Sequence, residues 1–186
     1  MKLLRAILIR LRQTVSRGRL MLLAASDEFE IGRGCSLSSG VRLRATDGGR
    51  VSLSDGVVID RFADITIQHG RLEIGRRSYI GQFSVICARH DIRIGANCLI
   101  GEHVTIRDQN HRFGPGLTTA QAGFTTAPIT IGNNVWIGAK VTIVKGVTIG
   151  EGAVIGANSV VTNDIPANSV AVGIPARVIR KIDDVT

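Results

Sequence analysis

The chain is poor in the residues that staple or decorate a small fold. Among its 186 residues are three cysteines, Cys35, Cys87 and Cys98. An odd number without metal-type spacing argues against a disulfide framework and against a zinc site, so no metal is expected. The cysteines read instead as buried small residues in a reducing compartment. Aromatic residues make up 4% of the chain, so aliphatic side chains must fill the core, and the stacking residues of a base-reading surface are missing. No apolar run approaches the ~18 residues of a membrane-spanning helix. Leu20 to Ala25 is too short for the apolar stretch of a secretory signal, and arginines interrupt residues 3–11. These absences lead to the expectation of a cytoplasmic protein without a nucleic-acid partner.

What is present is concentrated. The formal net charge is +8, and Lys2, Arg5, Arg10, Arg12, Arg17 and Arg19 all precede the first acid, Asp27, so residues 1–25 carry +6 and the rest +2 (8 − 6). Within this arm Leu3, Leu4, Ile7, Leu8, Leu11 and Val15 recur at helical spacing, which predicts a basic amphipathic helix. It either caps the domain or packs on a neighbouring subunit, or residues 1–20 attach it peripherally to the inner face of an anionic membrane.

From residue 31 a different rule takes over. Ile-Gly pairs begin at residues 31, 74, 80, 94, 100, 131, 137, 149 and 155, and the steps 74 to 80, 94 to 100, 131 to 137 and 149 to 155 are each six residues. One such unit points a single aliphatic side chain inward, and burying it is worth roughly 1.5–3 kcal/mol, but the unit cannot shield it alone. Units must stack. Coils of three units pair as parallel strands ~4.8 Å apart, with the first-position residues forming inward ladders. The fold class is therefore an all-β solenoid of hexapeptide repeats spanning residues 26–181, with a tail at 182–186.

Departures from six mark insertions at corners. Asp47-Gly48-Gly49-Arg50 and His69-Gly70-Arg71 read as turns, and residues 107–127, with Gly114, Pro115, Gly116 and Gly123, read as a protruding loop. Beyond Ile165-Pro166, Pro175 is positioned to start a short C-terminal cap helix in which Val178 and Ile179 cover the last coil. His111 stands at the lip of the loop. Trp136 holds an outward hexad position, and His69, His90 and His103 read as solvated surface residues.

With its hexads, His111 before the loop and Gly132-Asn133-Asn134-Val135-Trp136-Ile137-Gly138-Ala139 after it, the chain resembles the hexapeptide-repeat acyltransferases. Asp108-Gln109-Asn110-His111-Arg112-Phe113, Gln121-Ala122-Gly123-Phe124 and Gly173-Ile174-Pro175-Ala176 bring it nearest to the maltose/galactoside and surface-polysaccharide O-acetyltransferases. The resemblance implies a left-handed parallel β-helix, a homotrimer, acetyl-CoA as acyl-donor cosubstrate, and a small-molecule or lipid-linked sugar acceptor from surface-polysaccharide synthesis.

It also implies roles. His111 is the catalytic base, a chemistry that suits a side chain with an ordinary pKa of about 6.5, and the Ala139 backbone N–H holds the oxyanion. Trp136, Ala139 and Ala157 line the acyl-CoA groove, and Arg177, Arg180 and Lys181 meet the CoA phosphates. Gln82, Asp108, Asn110, Gln121 and Phe124 are the acceptor-side residues, with Asp108 or Gln121 orienting His111. The acceptor-binding Asn of the galactoside enzymes falls here at Gly81, beside Gln82. Alternatives on the same fold are N-acylation of an amino sugar, O-acetylation of serine, a γ-type carbonic anhydrase and a non-catalytic scaffold.

Overall fold

The computed structural model describes residues 18–182. Three parallel sheets wrap one aliphatic core. The first sheet stacks 29–31, 50–53, 71–74, 91–94, 129–131 and 148–149. The second stacks 36–37, 58–59, 79–80, 99–100, 136–137 and 154–155, and ends in 169–173 paired with 176–181. The third stacks 42–46, 64–68, 85–88, 105–107, 142–143 and 160–161.

Register turns the hexad rule into ladders. In the second sheet Leu37, Ile59, Ile80, Ile100, Ile137, Ile155 and Ala171 stand in one inward column. In the third sheet Leu43, Ile65, Ile86, Ile106, Ile143 and Val161 do the same. Every one of these side chains is buried. Each coil thus shields the apolar residue that the next cannot shield for itself.

The corners carry the irregularities. Asp47 and Gly48 form one turn with φ of 54° and 81°, and His69 forms the next at 62°. Gly81 shows why the second-to-third corner tolerates so little: a Cβ there would collide with the backbone carbonyl of Gly101 in the next coil. No side chain fits at Gly81, so only its neighbour Gln82 presents one to the surface, where it accepts a 3.2 Å hydrogen bond from Arg61.

At the same corner, Phe62, Phe83 and His103 stack with ring centroids 5.2 and 5.1 Å apart. His103 is therefore part of an aromatic column rather than a simply solvated group. His69 approaches the Asp47 carbonyl through Nδ1 at 2.9 Å, and His90 is exposed. Cys98 is buried and Cys35 and Cys87 are partly buried, all free, and burial pushes all three thiols above their usual pKa.

The two ends close differently. At the start, residues 18–24 are helical; Leu20 joins the core, and Arg19 donates a 2.6 Å hydrogen bond to the Val41 carbonyl of the first coil. Met21 and Leu22 stay 75% and 77% exposed. The rest of the amphipathic arm, residues 1–17, lies outside the described residues. At the other end the cap helix is not formed. Residues Ala176–Lys181 make a strand that returns antiparallel along Ser169–Gly173. The physical reason is the edge: the last strand of the second sheet presents main-chain N–H and C=O groups, which a strand satisfies and a helix does not. Ala176 is buried, whereas Val178 and Ile179 are exposed, so the predicted covering residues are not the ones used.

Candidate active site

The excursion at 108–127 is built from its root. Asp108 follows the third-sheet strand Thr105–Arg107 and is fully buried. Its carboxylate accepts backbone N–H bonds from Arg89 at 2.8 Å, His90 at 2.7 Å and Asp91 at 2.9 Å. Its carbonyl accepts the N–H of Ala127 at 3.0 Å, so the loop leaves and returns at one residue. This corrects the expectation for Asp108. A carboxylate occupied by three amides neither contacts an acceptor nor orients His111.

Above that root the loop is a short antiparallel ribbon, with Gln109 opposite Thr126, Asn110 opposite Thr125 and His111 opposite Phe124. Cross-strand pairing places the His111 ring against Phe124, centroids 4.4 Å apart. The guanidinium of Arg89 lies over the same phenyl ring, 3.9 Å from its centroid. Arg107, Gln109, Asn110, His111, Phe113 and Phe124 line an open cleft of about 410 Å³. Gln109 brings a buried Oε1 with no hydrogen-bond partner among the described residues, an acceptor that a ligand hydroxyl or amine can fill. Gln121 sits exposed in the turn closed by its own N–H to the Thr118 carbonyl, 2.9 Å, and does not orient His111.

The remaining predicted residues gather elsewhere. Trp136 projects from the second sheet, 56% exposed, in an outward row between Leu99 and Val154. Ala139 occupies the second-to-third corner, and its N–H has no acceptor among the described residues. The same is true of Glu102 and Ala157 at this corner, so a free donor here follows from corner geometry. Ala157 stacks directly on this position, with the Asn158 N–H bonding the Ala139 carbonyl at 2.9 Å. Arg177 pairs with Val172, whose side chain abuts Gly156, so it joins the same corner. Arg180 and Lys181 pair with Val170 and Ser169 and lie toward the other edge of the second sheet.

His111 and Ala139 are thus not brought together in one chain. The first follows a third-sheet strand, Thr105–Arg107, and the second precedes another, Thr142–Ile143, so the width of that sheet lies between them. Sequence reasoning missed Arg89 and Gln109. Arg89 sits in a corner segment without hexad spacing, and nothing in sequence links it to a ring thirty-five residues later (124 − 89).

The family described as bacterial transferase hexapeptide (six repeats) matches residues 128–163. Over that stretch the chain carries the hexapeptide repeat that the family describes. Its fold is a left-handed parallel β-helix of hexapeptide repeats. The galactoside O-acetyltransferase of Escherichia coli (strain K12) is 47% identical over 113 residues, covering 61% of this chain and 55% of that protein. The putative lipopolysaccharide biosynthesis O-acetyl transferase WbbJ of the same strain is 31% identical over 115 residues, 58% of this chain and 59% of that protein. The chain therefore spans little more than half the length of these two relatives. Among solved structures, the hexapeptide-repeat containing acetyltransferase VCA0836 from Vibrio cholerae superposes with a TM-score of 0.64 at 25% identity, covering 98% of this hexapeptide-repeat chain and 93% of that one. AntD, an N-acyltransferase from Bacillus cereus, reaches 0.72 at 24% identity over 84% of this chain and 85% of its own, and attests the fold alone.

The three amides on Asp108 yield a prediction about this hexapeptide-repeat chain. Asp108→Ala leaves them without acceptors and should cost about 1–3 kcal/mol per unsatisfied group at most. Chemical denaturation should report a lower midpoint, and limited proteolysis should cut first within 108–127; unchanged stability and cleavage would remove Asp108 from its place as the loop's anchor.

Proposed function

We propose that the protein transfers an acetyl group from acetyl-CoA to a hydroxyl of a sugar, with His111 as general base. The observation that carries the proposal is the presentation of His111: an exposed imidazole, held on a ribbon rooted in the solenoid, facing a cleft with a Gln109 acceptor that has no partner among the described residues. The O-acetyltransferase names of its curated relatives support the reaction class.

The chemistry uses the chain's own groups. The imidazole takes the proton of the acceptor hydroxyl as its oxygen attacks the thioester carbon. The resulting oxyanion is held by the Ala139 N–H, which has no acceptor among the described residues to give up. Collapse breaks the carbon–sulfur bond, and the departing CoA thiolate recovers the proton from the imidazolium. Ala157 and Arg177, on the corner of Ala139, bind the donor arm and a CoA phosphate; Arg180 and Lys181 serve a more distant phosphate. Trp136 walls the groove, and Gln82, Gln109, Asn110 and Phe124 meet the acceptor.

The separation of His111 from Ala139 across the third sheet requires that the two halves come from neighbouring subunits. A homotrimer meets that requirement with three equivalent sites.

The basic residues 1–25 and exposed Met21 and Leu22 fit a peripheral contact with an anionic bilayer, which would bring the enzyme to a lipid-linked acceptor. No helix among the described residues is long and apolar enough to cross a membrane.

In assays of thiol release from acetyl-CoA with a panel of galactosides, His111→Ala should lower kcat by about 10²- to 10⁴-fold with little change in KM. A variant that keeps most of its activity would end the assignment of the base. Vesicles containing phosphatidylserine should sediment the full chain but not one lacking residues 1–20; equal sedimentation of both would contradict the membrane contact.

A further inference from the structure

The His111 imidazole has no side-chain hydrogen-bond partner among the described residues. Something other than a carboxylate must therefore fix its ring if it is to act as a base, because general-base efficiency depends on a held geometry. Its one ring contact among the described residues is Phe124, 4.4 Å away and tilted by 41°. Phe124 is in turn half-buried beneath Arg89, whose guanidinium lies 3.9 Å from the ring centroid.

Arg89 is itself held at both ends. Its backbone N–H is bound by the Asp108 carboxylate at 2.8 Å. Its guanidinium donates to Gln68 Oε1, and Gln68 Nε2 donates to Asp47 Oδ2 at 2.8 Å, a bond that keeps the Asp47 carboxyl below its ordinary pKa. Asp47, Gln68 and Arg89 occupy the same corner in successive coils. They form a row of side chains on the rigid wall, ending over the ring that touches His111.

We propose that Arg89 is a positioning residue for His111, acting through the phenyl ring of Phe124. The inference rests on His111 being the base, and it assigns to a cation–ring contact the orienting task that Asp108 and Gln121 do not perform. A guanidinium suits the task because it is planar, permanently charged, and able to cover an aromatic face while bonding an amide at its edge. Phe124 thereby serves the base as a platform as well as lining the cleft. The short root at Asp108 then has a double effect: it fixes the loop, and it fixes the backbone from which Arg89 reaches the ring.

The test combines an NMR readout with kinetics on the full chain. Ring protons of His111, assigned through His111→Gln, should be shifted by the Phe124 ring current. In Arg89→Ala they should move toward the position of an unstacked imidazole. With acetyl-CoA and a galactoside, kcat of that variant should fall roughly ten- to hundredfold, while KM for acetyl-CoA stays within about twofold. Arg89→Lys, which keeps a cation but not the planar group that covers the ring while bonding Gln68, should restore only part of both signals. Phe124→Leu, which keeps apolar volume without a ring, should reproduce the loss should Arg89→Ala fail to fold. Unchanged His111 resonances in a folded Arg89→Ala or Phe124→Leu protein overturn the proposal. Retained activity in His111→Ala instead overturns the base assignment, and the resonances still report whether Arg89 holds the ring.

Discussion

The structure depends on in-step stacking of inward aliphatic side chains, one per hexad, in columns that run the length of the solenoid. Each column residue is buried because the coils on either side present the same kind of side chain at the same place. A slip of one residue would send an entire strand's apolar set outward, so the period is enforced coil by coil. Additional residues have one place to go, which is out through a corner. The constraint that makes the wall rigid is therefore also what generates the excursion at 108–127.

Function follows from how that excursion is fastened. A flexible loop on a smooth wall would present a histidine without fixing it. Here a buried carboxylate gathers three corner amides, a carbonyl of the same residue closes the loop, and a two-stranded ribbon sets His111 opposite Phe124. The corner that carries Ala139 is equally constrained, since its glycines permit a coil-to-coil approach that no side chain would survive. Two rigid halves, one on each side of the third sheet, are matched to meet between chains in the trimer we propose. In the function we propose, the acceptor side is the ribbon and the cleft at its foot, which Gln109 lines.

Much of this was legible in the sequence because the hexad is a direct record of burial. The columns, the turns at Asp47 and His69, and the protruding loop were all visible as spacing. The end of the solenoid was not, because the stretch after Pro175 has a helix-compatible pattern, and only the unpaired main chain of the preceding strand reveals that a strand is needed there. Asp108 was misjudged for a related reason: an acid near a histidine looks like a partner until the amides of residues 89–91 are seen to claim it. Arg89, Phe124 and His111 meet through tertiary contacts between a corner and a ribbon, for which no sequence period exists. His103 likewise looked solvated, since its stacking on Phe83 arises only once coils are superposed.

The central claim is that the transfer site is assembled from two chains, and mixing of complementary defective subunits tests it most directly. His111→Ala lacks the proposed base, and Ala139→Pro lacks a backbone donor that carries no bond among the described residues. Each variant alone should be inactive. When the two are co-refolded, a mixed trimer contains one interface in which an intact His111 faces an intact Ala139, so acetyl transfer should return to about a third of the wild-type rate per trimer. Mixed trimers that form, as native mass spectrometry would establish, yet stay inactive would contradict a shared site and return the chemistry to a single chain.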